Sequence, residues 1–104
     1  MNPDMKLALH VDDNDNVATV FAEGVVKDSM VEVKNRKGDS EIIRMLSDVP
    51  FGHKIATDSL KKGDPIIKYG QRIGTASVDI QKGDYVHIHN MEAARGRGDL
   101  EVTK

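Results

Sequence analysis

Apolar and polar positions alternate with period two through Lys6-Leu7-Ala8-Leu9-His10 and again through Met30-Val31-Glu32-Val33-Lys34, while Val17-Ala18-Thr19-Val20-Phe21 is a short β-branched run. Alternation of this kind turns one face of an extended chain toward a core, so all three segments are predicted strands, the first at a sheet edge. Glu41-Ile42-Ile43-Arg44-Met45-Leu46 should pair back through the turn cluster Asn35-Arg36-Lys37-Gly38-Asp39, whose basic residues serve loop solubility rather than binding. An apolar 3.6-residue period is nowhere sustained over a dozen positions, so long helices are not expected.

Between the first two strands, Val11-Asp12-Asp13-Asn14-Asp15-Asn16 is rich in side chains that bond their own backbone, which predicts a solvated hairpin turn. Its acidic residues resemble part of an EF-hand loop, but the later glycine and the closing bidentate glutamate are missing, which weighs against calcium. After Ser47-Asp48-Val49-Pro50-Phe51-Gly52 the pattern changes. Ala56, Leu60 and Lys62-Gly63-Asp64 are echoed by Ala76, Ile80 and Lys82-Gly83-Asp84 at an offset of twenty. This weak repeat predicts two one-turn helices, each plugging the core with Leu60 or Ile80, each ended by a glycine of positive φ, and each followed by a strand.

Composition narrows the class. A chain of 104 residues fits one domain, and with only 4% aromatic residues its core must be aliphatic. A net charge of -2 gives no reason to expect nucleic acid or an anionic membrane as partner. There is no cysteine for a disulfide framework, and no apolar run of transmembrane or secretory character, so a cytoplasmic protein is expected. The expected organisation is a flexible N-terminus over residues 1–5, a compact, mostly β domain over 6–94, and a flexible tail over 95–104. That tail contains Arg97-Gly98-Asp99, a tripeptide too short to carry an adhesion reading.

Candidate chemistry gathers around Ile66-Ile67-Lys68-Tyr69-Gly70-Gln71-Arg72-Ile73-Gly74, with His53-Lys54 before it and His87-Ile88-His89-Asn90 after it. If residues 87–89 continue a strand, His87 and His89 project on one side and could meet one ligand or metal ion, with His53 as a third group. The competing reading has both imidazoles bonding backbone carbonyls at a strand end. Lys68, Arg72 and the glycine-flanked backbone amides suit a carboxylate, against the plainer reading of a hairpin with exposed basic residues.

Gly52-His53-Lys54-Ile55-Ala56, Ile67-Lys68-Tyr69-Gly70, Ile73-Gly74 and Gly83-Asp84-Tyr85-Val86-His87-Ile88-His89-Asn90, in this order and spacing, resemble the N-terminal domain of the altronate and galactarate dehydratase family. The resemblance covers residues 6–94 and extends to the small subunit of sulfolactate sulfo-lyase. The turn pattern is also similar to the wider SAF group, which implies a β-clip fold. For function it implies a carbon–oxygen hydro-lyase component of the altronate dehydratase (altronate hydrolase) type, eliminating water, or sulfite, from a 2-hydroxy or sugar acid. A divalent metal, Fe2+ or Mn2+, would be shared with a large catalytic subunit, without which the chain would be inactive, and an oligomer is expected. In this reading His53, His87 and His89 are catalytic, with His87 and His89 also as metal ligands. Lys54, Lys68, Tyr69, Gly70 and Asn90 bind the substrate. The alternative is a non-catalytic SAF-type module recognising a sugar acid or a partner protein.

Overall fold

The alternating segments do form strands, and their order is set by which faces must be hidden. The computed structural model describes residues 5–93. Six strands make the larger sheet: β1 (Lys6–His10), β2 (Val17–Val20), β3 (Met30–Asn35), β4 (Ser40–Arg44), β5 (Lys54–Ala56) and β8 (Tyr85–Val86). A smaller sheet holds β6 (Pro65–Lys68), β7 (Gln71–Ala76) and β9 (Met91–Ala93). The predicted β1–β2 and β3–β4 hairpins are present. In the second, Asn35 Oδ1 accepts from the amides of Lys37 and Asp39, and Gly38 takes the positive φ the turn requires.

The larger sheet runs β4-β3-β1-β2-β5-β8. The first strand is therefore interior and not at an edge, because β3 returns beside it in parallel, with Ala8 opposite Val33. By register, Ala8, Ala18, Val20, Val33 and Ile55 share one face and anchor the first apolar cluster. Val17, Ala56 and Val86 lie on the other face and pack with Leu60, Ile66, Ala76 and Ile80. β2 contributes to both clusters, and all four of its residues are buried. The aliphatic core inferred from composition is thus two layers joined through one strand.

The twenty-residue echo is real, but the two one-turn helices are not: no described residue is helical. Leu60 and Ile80 instead exchange both backbone hydrogen bonds, at 2.7 and 2.8 Å, so their polar groups are satisfied between the copies. One turn of helix fixes several dihedrals for a single bond, and so short a stretch cannot offset that nucleation cost. Each copy closes as a tight turn. Asp64 donates its N–H to the Lys61 carbonyl and accepts the Lys61 N–H on its carboxylate, and Asp84 treats Gln81 in the same way. Gly63 and Gly83 supply φ of 94° and 96°.

The copies are exchanged. Gly83 donates to the Ala56 carbonyl and Ala56 to the Asp84 carbonyl, while Gly63 donates to the Ala76 carbonyl and Ala76 to the Asp64 carbonyl. No helix among the described residues is long and apolar enough to cross a membrane. The expected flexible tail and its Arg97-Gly98-Asp99 lie outside the described residues, as do residues 1–4.

Candidate functional site

Because the second copy ends against the start of the first, β5 and β8 pair, with Lys54 opposite Val86 and Ile55 opposite Tyr85. His53 enters β5 and His87 leaves β8, so both reach the same sheet edge. Their ring centroids are 4.9 Å apart. The Tyr85 hydroxyl and His53 Nδ1 share a 2.7 Å hydrogen bond, whose direction follows the tautomer. The Tyr85 and His87 rings are nearly parallel at 5.7 Å, and His89 lies 5.3 Å from Tyr85. Tyr85 is thus the hub of the histidine cluster, a residue the sequence reading quoted in its motif but gave no role. The spacing of Tyr85, His87 and His89 does not signal this role, because the chain leaves the strand after Val86 and the ring contacts come from the fold.

β8 stops at Val86, and residues 87–90 form a turn and not the strand that was expected to align His87 with His89. Asn90 closes this turn. Its Oδ1 accepts the His87 N–H at 3.0 Å, its Nδ2 donates to the Tyr85 carbonyl at 2.8 Å, and its own N–H bonds the His87 carbonyl. Buried at 6% exposure, Asn90 holds His87 in position instead of opening toward a ligand. Ile88, at the crest of the turn, is 80% exposed.

Lys54 is half-buried and its pKa falls below the ordinary lysine value, mainly through desolvation and then through the nearby charge of Lys68. His87 is likewise lowered, first by desolvation and then by the charges of His53, Lys54 and His89. The two lysines and the imidazoles therefore belong to one electrostatic neighbourhood. Thr19 is directly opposite Lys54 in the sheet, and its buried hydroxyl has no hydrogen-bond partner among the described residues.

Tyr69 and Gly70 sit at the other end of this neighbourhood. Lys68 Nζ lies 4.9 Å over the Tyr69 ring, and Tyr69 is 60% exposed. The backbone amides of Tyr69 and Gly70 are engaged within the chain: Asp15 accepts the Tyr69 N–H at 3.1 Å and the Gly70 N–H at 2.8 Å. Asp15 is buried, so the Asp12–Asn16 stretch is more than a solvated turn. Asn16 adds bonds to the Ile67 amide and the Pro65 carbonyl, clasping the β6–β7 hairpin onto the larger sheet. The fourth histidine, His10, is occupied here too, with Nε2 2.6 Å from the Asp15 carbonyl.

Among the described residues no three His, Cys, Asp or Glu side chains are grouped so as to hold a metal ion. His87 and His89 both lie against Tyr85, and the donor set of the described residues does not by itself complete a metal centre.

These features define a small β domain carrying an imidazole, tyrosine and lysine cluster at one sheet edge. The chain belongs to the family described as the altronate/galactarate dehydratase SAF domain, whose model matches residues 6–94. It is 50% identical over 48 residues to an altronate dehydratase of Bacillus subtilis, covering 46% of this chain and 10% of that protein. To the altronate dehydratase of Escherichia coli it is 40% identical over 76 residues, covering 73% of this chain and 14% of that protein. A (2R)-sulfolactate sulfo-lyase subunit alpha of Chromohalobacter salexigens is 33% identical over 85 residues, which is 81% of this chain and 90% of the relative. The chain therefore spans a small fraction of the dehydratases and nearly the whole of that sulfo-lyase subunit.

Proposed function

We propose that this chain is the small component of a lyase that eliminates water, or sulfite, from a 2-hydroxy or sugar acid, working against a large catalytic component that supplies the rest of the site. The observation that carries the reading is the convergence of His53, Tyr85 and His87 beside Lys54 and Lys68.

Such an elimination must remove a proton from the carbon beside a carboxylate and protonate or release a group on the next carbon. Lys54 and Lys68 crowd one another with no counter-charge between them among the described residues, and a substrate carboxylate would supply it. His87, kept neutral by its surroundings, is the proton acceptor. His53, fixed at Nδ1 by Tyr85, has Nε2 left to protonate a departing hydroxyl. Tyr85 and Asn90 are positioning residues. A divalent metal in the assembled enzyme, iron or manganese, we assign mainly to the large component, with His87 or His89 adding at most part of its ligand set.

The test is reconstitution with a dehydratase large chain. His53→Gln and His87→Gln should each lower kcat by about 10²–10⁴, the usual contribution of a general acid or base, while the two components still co-elute. Full activity in the double variant would overturn the catalytic assignment and leave a non-catalytic binding module.

A further inference from the structure

The larger sheet is covered unevenly. On the face that carries Val17, Ala56 and Val86, the second layer packs over β2, β5 and β8 and buries all three side chains. By register the same face continues across β1, β3 and β4, where it carries Leu9, Met30, Glu32, Lys34 and Ile42. Among the described residues no second layer follows there, and Leu9, Met30 and Ile42 are 38–54% exposed. A sheet face left to solvent normally carries polar side chains at such positions.

One cross-strand row shows how far the apolar surface runs. Ile42 is opposite Glu32 and Glu32 opposite Leu7, whose carbonyl accepts the Phe21 N–H. The Phe21 ring then meets Phe51 edge-on, with centroids 6.1 Å apart and both rings about half exposed. Together with Leu9 and Met30, which flank the row, the exposed apolar surface is on the order of 400 Å², the size at which such a patch marks an interaction site. With a polar rim it would make one side of a standard interface, about 800 Å².

The neighbouring row decides what covers it. Lys34 is opposite Leu9, Leu9 opposite Thr19, and Thr19 opposite Lys54, so the open face runs without a break into a lysine of the imidazole edge. A body that closes over Lys54 from this side also lies on Leu9. The face is cationic as well: Arg44 is paired with Asp28, and Lys34 and Lys54 outnumber Glu32. A second copy of the chain, meeting this face across a two-fold axis, would set one cationic surface against another.

We propose that this open face is the surface on which the large catalytic component docks, through an apolar patch of its own bordered by carboxylates that meet Lys34 and the rim of the imidazole edge. The proposal rests on the lyase reading above, and adds to it the face by which the two components join.

The experiment is a calorimetric titration of the whole chain with the dehydratase large chain used for reconstitution. Met30→Glu/Ile42→Lys places each new charge opposite a counter-charge already in the sheet, Arg44 and Glu32, so it should melt like the parent chain. It should bind the large chain at least tenfold more weakly, because two charges are pressed into the apolar centre of the contact. Phe51→Ser, outside the strands, repeats the test without altering the sheet and should also weaken binding. Glu41→Gln, on the opposite face of β4, should bind as the parent does. Lys34→Glu should slow association, most at low salt. Unchanged affinity in both apolar-face variants, or faster association of Lys34→Glu, would overturn the docking face while leaving the lyase reading in place. Failure of the parent chain itself to bind would remove both. A dimer of the chain alone in sedimentation velocity, abolished by Met30→Glu/Ile42→Lys, would assign the face to a second copy and overturn the proposal.

Discussion

Replacing Asp15 by Asn tests whether the acidic turn clasps the β6–β7 hairpin. The carboxylate is buried at 4% exposure and accepts three backbone amides: Asp12 at 3.0 Å, Tyr69 at 3.1 Å and Gly70 at 2.8 Å. Asparagine has nearly the same shape but presents an NH2 group where one oxygen accepted. With its oxygen in the Oδ2 position it keeps Asp12 and Tyr69 and loses Gly70; in the other orientation it keeps Gly70 alone. A hydrogen bond to a charged acceptor is worth about 1.5–3 kcal/mol net, and a buried donor left unpaired costs about 1–3 kcal/mol. The expected loss is therefore about 2–4 kcal/mol. For a domain of this size each kcal/mol moves Tm by about 4–8 °C, so a fall of about 10–25 °C should be seen by circular dichroism. Urea unfolding should show a lower midpoint with little change in slope, since the surface exposed on unfolding is the same. Asp12→Asn is the control, because the Asp12 carboxylate bonds only the exposed Asn14 amide among the described contacts. A change within about 0.5 kcal/mol for Asp15→Asn would refute the clasp, since that is what an ordinary surface substitution costs.

Three further perturbations separate structure from chemistry. Gly83→Ala should destabilise by about 3 kcal/mol or more, because φ is 96° and an added Cβ would run into the Arg44 carbonyl; Gly63→Ala, at φ 94° with open space around it, should cost only the left-handed backbone penalty of about 1–2 kcal/mol. Equal losses in thermal melts of the two variants would show that the contact with Arg44 has no weight. His87 has a lowered pKa in the folded chain, so the unfolded chain binds its proton more readily, and native stability is lost as pH falls through the ordinary histidine range toward the folded value. His87→Gln should therefore flatten the decline in urea midpoint between about pH 7 and pH 5, and an unchanged decline would show that His87 is not disfavoured in its charged form. Lys54→Met removes a partly desolvated charge crowded by Lys68, with the effect damped by solvent because the group is only half-buried, so the isolated chain should be unchanged or slightly more stable while an enzyme reconstituted as proposed loses substrate affinity. A clear drop in chain stability would mean that the ammonium is held by favourable contacts instead.

Much of the local structure was legible because it follows from period and turn chemistry. The alternation in Lys6–His10 and Met30–Lys34, the Asn35–Asp39 turn and the offset-twenty echo all correspond to observed elements. What failed was non-local. Nothing in Lys6–His10 says that Met30–Asn35 will return parallel to it and make it interior, since that depends on the crossover between β2 and β3. Asp15 is one of several short polar residues in a row, and only the tertiary fold selects it over Asp12 and Asp13 for burial. In the same way, His87 and His89 alternate as in a strand, but Asn90 offers the backbone an Asx-type closure that ends β8 first. The histidines, lysines and tyrosine of the cluster were each visible as chemistry; the hub at Tyr85 was not, because its role comes from the ring contacts that the fold creates.

The repeated turn explains why those contacts form at all. Had each copy closed on itself, the residues before Ala56 would meet those after Asp64, and His53 would face the apolar Pro65-Ile66-Ile67 run. Exchange reverses this. Ala56 pairs with Gly83 and Asp84, so the segment leading into the first copy, His53-Lys54, meets the segment leaving the second, Tyr85-Val86-His87. The same exchange brings Ile73-Gly74 against Ile66-Ile67, where Gly74 has no side chain because an added Cβ would lie 2.5 Å from the Glu92 carbonyl. One junction is therefore chemically equipped and the other is packed shut. An arrangement with two equivalent backbone frames has kept one as scaffold, which holds Leu60 and Ile80 together at the centre while the imidazole edge stays open to solvent or to a partner.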